Sequence, residues 1–297
     1  MNERSDTETM FSPRRWFLGD EGAVRPLWRS VLFIIFSVAL YLLIGPLIYG
    51  ATRGWPKELS WPLRSGVLTL AFLLLTWLLL AVLDRRSFRS LGLWFYGGWG
   101  REFATGVAVG LALMGSVVLA LAAAGAVTYH AFAPEPFGGV LAWAPILLLA
   151  AAWEEITFRG YGMQRLIEAA GEPAGVLAYS ALFALVHMSN PGYTTLSAVN
   201  TFLAGILLSL AYLKTRGLWL PIALHWSWNF LQGQIFSLPI SGFHFAPRLL
   251  QTEVSGPTWL SGGSYGPEGS IVLTVACVLA ILWMATTQSV SPSPAME

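Results

Sequence analysis

"LLLAAAWEEITFRGYGMQRL", residues 147–166, carries an apolar run directly into Glu154, Glu155 and Arg159. A charge near the centre of a bilayer costs about 2.5–3.5 kcal/mol on an insertion scale, so three of them in one such segment require a common use. The rest of the chain says that lipid is the right reference. Of 297 residues, 55% are apolar and 11% charged, with 14 Trp, which leaves too little polar surface for a water-soluble domain. An integral membrane protein is therefore expected.

The formal net charge is +1 and no block of like charge is long enough for a nucleic-acid surface, which excludes nucleic acid as a partner. Cys277, alone, can form neither an intramolecular disulfide nor a multi-cysteine metal site. The first thirty residues lack the apolar core and small-residue cleavage site of a secretory signal, so the first span is expected to act as targeting signal.

A helix needs about 20 apolar residues to cross the hydrocarbon core. Windows free of Asp, Glu, Lys and Arg give spans at Ser30–Thr52 and Ser65–Leu83, then a Gly/Ala-rich one from Phe103 to near Val127. The run Val140–Trp153 reaches span length only if its helix continues through the two glutamates to near Ile167. Ala174–Leu213 is long enough for two spans, broken at the Pro-Gly turn of Ser189–Thr195. Gly217 to near Phe236 and Ser270–Gln288 complete an all-α, polytopic bundle of about eight transmembrane helices. The resulting division is a polar cytoplasmic tail over 1–27, a helical membrane domain over 28–288 and a short tail over 289–297. Gln232–Gly269, rich in Gly, Pro and aromatics, is expected as an irregular outer loop, partly re-entrant. With an even number of crossings, 13 basic residues fall on the side of the termini and 4 opposite. That asymmetry predicts a multi-pass plasma-membrane protein with both termini cytoplasmic.

Three polar groups stand inside these spans. Glu155 and Arg159 are i,i+4 neighbours able to neutralise each other, which leaves Glu154 about 100° away without a local cation. His187 is alone in "FALVH", whereas His225 and Asn229 share a helix face in "HWSWN". Measured from a turn near Glu172, Glu154 lies about 27 Å and His187 about 22 Å along an antiparallel pair, roughly level. A lone intramembrane histidine is commonly an interhelical hydrogen-bonding group, and an ion pair commonly fixes packing. Together, an unpaired carboxylate, two imidazoles and a carboxamide are costly without a function. His130 and His244 fall in predicted outer loops without such company.

At these residues the sequence resembles the CAAX-protease and bacteriocin-processing (CPBP, or Abi-domain) intramembrane endopeptidases. The Glu-Glu-x-x-x-Arg motif stands as "EEITFR" (Glu154–Arg159), Phe-x-x-x-His as Phe183–His187, and His-x-x-x-Asn as His225–Asn229. The three occur in order across a core of about 140–232. The resemblance implies a helical membrane fold with a polar cavity and proteolysis at membrane depth. Some members trim lipidated C-terminal Cys-a-a-X tails, and others act on or resist peptide bacteriocins. The implied partners are a membrane-associated peptide or protein substrate and the lipid bilayer.

In the chemistry these residues support, Glu154 is the base and His187 holds the same water. His225 and Asn229 donate to the oxyanion. Glu155 and Arg159 orient and tune Glu154, and Phe183 packs. Metal-independent glutamate chemistry is favoured, because the helical His-Glu-x-x-His signature is absent. If zinc is used, Glu154, His187 and His225 are its ligands. A proton-coupled transporter and a non-catalytic scaffold or immunity protein are the rival readings.

Overall fold

A computed structural model describes residues 16–19, 22–132, 137–246 and 248–291. Arg4, Arg14 and Arg15 of the predicted N-terminal tail, and residues 292–297 of the predicted C-terminal tail, lie outside the described residues. The fold is an all-α bundle with one small ribbon. Helix α1 (Pro26–Ala51) begins with Pro at its first position, where the missing N–H costs nothing. It is followed by α2 (Lys57–Leu79), which runs on through a π-turn to Asp84, and by α3 (Trp99–Ala123). Strand β1 (Val127–Phe132) precedes α4 (Phe137–Phe158), α5 (Tyr161–Ala170), α6 (Glu172–Val186) and α7 (Thr195–Thr215). Then come α8 (Trp219–Phe230), extended by a π-turn to Ile235, strand β2 (Leu250–Val254), the short α9 (Thr258–Ser261) and α10 (Ile271–Thr286).

Five segments are long and apolar enough to cross a membrane: Pro26–Ala51, Leu59–Asp84, Trp99–Ala123, Phe137–Ala170 and Thr195–Thr215. Leu42, Leu43, Leu47, Leu74 and Leu119 on them are each more than 60% exposed, a lipid-facing surface that water would not tolerate. The remaining three predicted spans fall on shorter helices, α6 with 15 residues, α8 with 12 and α10 with 16. The run Ala174–Leu213 does divide in two, and Thr194 and Ser197 close a capping box on the second helix.

Two expectations are corrected. The helix bearing the glutamates does not continue unbroken to Ile167; α4 stops at Phe158 and α5 starts at Tyr161. At the break, a Cβ on Gly160 would lie 2.2 Å from the Ile156 carbonyl oxygen, so only glycine allows the chain to fold so tightly. Nor is Gln232–Gly269 purely irregular, since β2 pairs antiparallel with β1, Val127 opposite Val254. His130 sits on that ribbon, 3.1 Å from exposed Glu253.

Small residues of α3 set its distance from α8. A Cβ on Gly106 would lie 2.5 Å from the Leu220 carbonyl, and one on Gly110 would lie 2.2 Å from Ser227 Oγ. Such close backbone approach is how membrane helices associate without a hydrophobic drive between them. Beside it a core of Met114, Val118, Leu207, Leu224, Leu273 and Cys277 closes around α7 and α10. Gly110→Leu is expected to cost about 1–3 kcal/mol by overpacking, read as a lower midpoint of thermal unfolding in detergent. An unchanged midpoint would show that the contact is not tight.

At one end of the bundle, buried Asp84 accepts from Arg29 (2.5 Å) and Arg165 (2.7 Å), joining α1, the end of α2 and α5. Glu168 adds Arg86 and Arg165, each at 2.8 Å. These arginines are among those assigned from sequence to the cytoplasmic side.

Candidate active site

Leu147, Ala151 and Glu155 recur at spacing four on α4 and are all buried, so this stripe carries Glu155 into the core. Its Oε1 accepts from Arg159 Nη1 at 3.1 Å, the predicted i,i+4 pair, with neither side chain exposed. Arg159 Nη2 also donates to the Gly205 carbonyl on α7 at 3.1 Å. Its guanidinium lies 4.6 Å from the Phe183 ring centroid, a cation–π contact. Phe183 also packs against His187, with centroids 4.6 Å apart and ring planes tilted by 54°, in line with the packing role expected from the sequence.

Glu155 does more than neutralise Arg159. The same Oε1 lies 2.8 Å from His225 Nδ1, so a carboxylate orients this imidazole as carboxylates orient catalytic histidines. His187 stands in the 3₁₀ turn that ends α6. Its Nδ1 donates to the Phe183 carbonyl at 2.7 Å. A carbonyl only accepts, so the proton belongs on Nδ1 and Nε2 is free for another partner.

Both free Nε2 atoms converge on Glu154. Glu154 Oε2 is 4.0 Å from His187 Nε2 and 3.9 Å from His225 Nε2. This buried oxygen has no direct hydrogen-bond partner. Polar atoms separated by such a gap suit one bridging water. Helices α4, α6 and α8 thus bring Glu154, His187 and His225 to one point, despite the break that spoils the straight-helix depth count.

A cavity of about 40 Å³ reaches His187, His225 and Asn229 but not Glu154. The Asn229 side chain has no protein hydrogen bond among the described residues, and it borders this space. The same cavity is lined by groups not singled out in the sequence: Asn200 and Thr201 on α7, Ser241, and Glu268 in the turn before α10. Glu268 Oε2 accepts from the Ser241 backbone N–H, and from its hydroxyl at 2.9 Å. Burial moves Glu268 above the ordinary carboxylate range, opposed chiefly by those two donors. Glu268 stands in "GPEGS" with no periodic partner, so only the tertiary fold could reveal it.

The three motifs therefore meet in space, and the sequence comparison falls on them. Residues 136–231 match the family model described as Type II CAAX prenyl endopeptidase Rce1-like. The Rce1-like segment starts at α4, ends after α8 and holds every motif residue, bearing out the CPBP resemblance. The match supports an intramembrane endopeptidase in general over this segment, and the five apolar helices make the protein an integral membrane protein. Helices α1, α2, α3 and α10, like Ser241 and Glu268, lie outside the Rce1-like segment. No curated protein and no solved structure matches the chain significantly.

Proposed function

We propose that the protein is an intramembrane endopeptidase of CAAX-protease type, cleaving membrane-associated proteins or peptides with Glu154 as the base. The observation that carries this reading is the unpartnered Glu154 Oε2, 4.0 and 3.9 Å from two imidazole nitrogens. A water in that gap gives one proton to Glu154 and is held through the other by His187 Nε2. Its oxygen attacks the peptide carbonyl carbon, and the carbonyl oxygen becomes an oxyanion. The Asn229 amide donates to it, as does His225 Nε2–H when both ring nitrogens are protonated, a charge that Glu155 balances at 2.8 Å. Glu154 then passes its proton to the departing amine as the C–N bond breaks.

Zinc is the alternative. Glu154, His187 and His225 are the donor types of a His₂Glu site. However, tetrahedral bonds of about 2.0–2.1 Å would place donor atoms about 3.3 Å apart, closer than the 3.9–4.0 Å found. Among the described residues, no group of three or more His, Cys, Asp or Glu is gathered closely enough to hold a metal. The geometry favours the metal-independent route. The basic residues favour cytoplasmic termini, with the plasma membrane as the proposed site. Membrane-anchored peptides, CAAX tails among them, are the proposed substrates.

The test is cleavage of a quenched, membrane-anchored peptide, prenylated or not, by purified protein in proteoliposomes. Wild type is expected to cleave, and to keep cleaving after exhaustive chelation. Asn229→Ala should lose about 10²–10³ in turnover at similar peptide affinity. No cleavage of any anchored peptide would remove the enzyme assignment in favour of a scaffold or transporter. Activity lost to chelator and restored by zinc would overturn the metal-free route.

A further inference from the structure

The cavity beside the imidazole pair has a chemistry of its own. Its lining includes His187, His225 and Asn229 from the sequence motifs and a second polar set, Asn200, Ser241 and Glu268, from outside them. Phe183, Ala204 and Trp228 are among the other residues that line it. A buried space takes up water when it is polar, offers two to four hydrogen-bonding partners, and exceeds about 10–15 Å³. Here about 40 Å³ is bordered by several polar side chains.

The second set is tied together without help from the motif residues. Ser241 presents its N–H and hydroxyl to Glu268 from a left-handed conformation (φ 46°) that L-residues seldom adopt. Asn200 donates to the carbonyls of Glu268 (2.9 Å) and Ser270 (2.8 Å), while its own oxygen accepts from Thr274 at 2.7 Å. The turn is thereby tied to α7 and α10, and its carboxylate is fixed at the cavity. A fixed acceptor facing an unpartnered carboxamide and two imidazoles is a set of hydrogen-bonding partners arranged around a void.

We propose that this cavity is a water site that supplies the hydrolytic water to the imidazole pair, with Glu268 as the positioning residue that anchors it. The role in supply rests on the endopeptidase reading; the water site itself does not. Water is consumed at each turnover, and a store in hydrogen-bonding contact with His187 and His225 would replace it without passing through lipid. Glu268 touches neither peptide nor reacting atoms in this scheme. Its effect is exerted through the ordered water.

Two measurements test it on the whole protein. The first is hydroxyl-radical labelling by a short X-ray pulse, which modifies side chains next to ordered internal water. Phe183 and Trp228, which line the cavity, should label above Trp143, a core residue at 1% exposure that does not line it. Ala204→Leu, which fills the cavity from α7, should bring them down to the level of Trp143, and Glu268→Gln should lower them partway. The second is peptide hydrolysis. Ala204→Leu should lower kcat about tenfold or more while KM stays within about twofold, the mark of a step after peptide binding. Glu268→Gln should move kcat in the same direction, and Glu268→Asp should restore part of it.

Labelling of Phe183 and Trp228 no greater than that of Trp143 would overturn the water site. Strong labelling with undiminished kcat in a folded Ala204→Leu protein would overturn the supply role. Strong labelling in a protein that cleaves no peptide would sink the endopeptidase reading and leave the water site standing.

Discussion

Glu154→Gln should leave a folded protein whose peptide hydrolysis falls by about 10²–10⁴-fold, the span usually supplied by a general base. Gln keeps the volume and one carbonyl oxygen but cannot take a proton from water. The spacing of this side chain from the two Nε2 atoms, at 4.0 and 3.9 Å, would be kept, so the loss should be in kcat. Because Oε2 has no direct hydrogen bond to forfeit, thermal stability should be unchanged or slightly raised. Hydrolysis within tenfold of wild type would mean that another group activates the water. His187→Ala, scored in the same assay, would separate loss of the base from loss of the group that holds the water.

The neighbouring residue should behave in the opposite way. Glu155→Ala strips Arg159 of its ion-pair partner in a place where neither side chain is exposed. Breaking a buried pair by removing one member typically costs about 3–5 kcal/mol, because the other charge is left uncompensated. Arg159 would retain the Gly205 carbonyl, the face of Phe183 and the more distant charge of Glu154, without a direct ion pair. The expected result is a large fall in the thermal midpoint together with loss of activity. Replacing both members, Glu155→Leu with Arg159→Met, should recover much of the stability, since a packed apolar pair is often as good as a buried ionic one. Activity should not return, because His225 Nδ1 would have lost its acceptor at 2.8 Å. A double variant that regained hydrolysis would show that Glu155 serves packing alone. A Glu155→Ala protein as stable as wild type would show that the pair contributes nothing to the fold.

These two adjacent carboxylates were distinguishable early for an elementary reason. Consecutive helical residues point about 100° apart, so only one of them could share a face with Arg159. What could not be foreseen was the second use of Glu155, because His225 is 70 residues away and no periodicity links them. The depth count that aligned Glu154 with His187 assumed one straight helix. It reached the right neighbours although Gly160 breaks that helix, and the tilt between α4 and α5 has no signature in hydropathy. The ribbon was missed for a related reason: β1 and β2 are separated by more than a hundred residues, and neither strand alone buries a clear alternating face.

The sequence by itself determined that the protein is helical and lives in a membrane, and it named the six polar residues that lipid would otherwise forbid. Those properties are local, set by run length, by spacing along one helix and by the cost of placing charge in hydrocarbon. Only the folded arrangement shows which nitrogen of the His187 and His225 rings is free, that Glu155 holds His225, and that Glu268 shares a cavity with the motif residues. Such features depend on angles between elements distant in the chain, and packing, not pattern, fixes those angles.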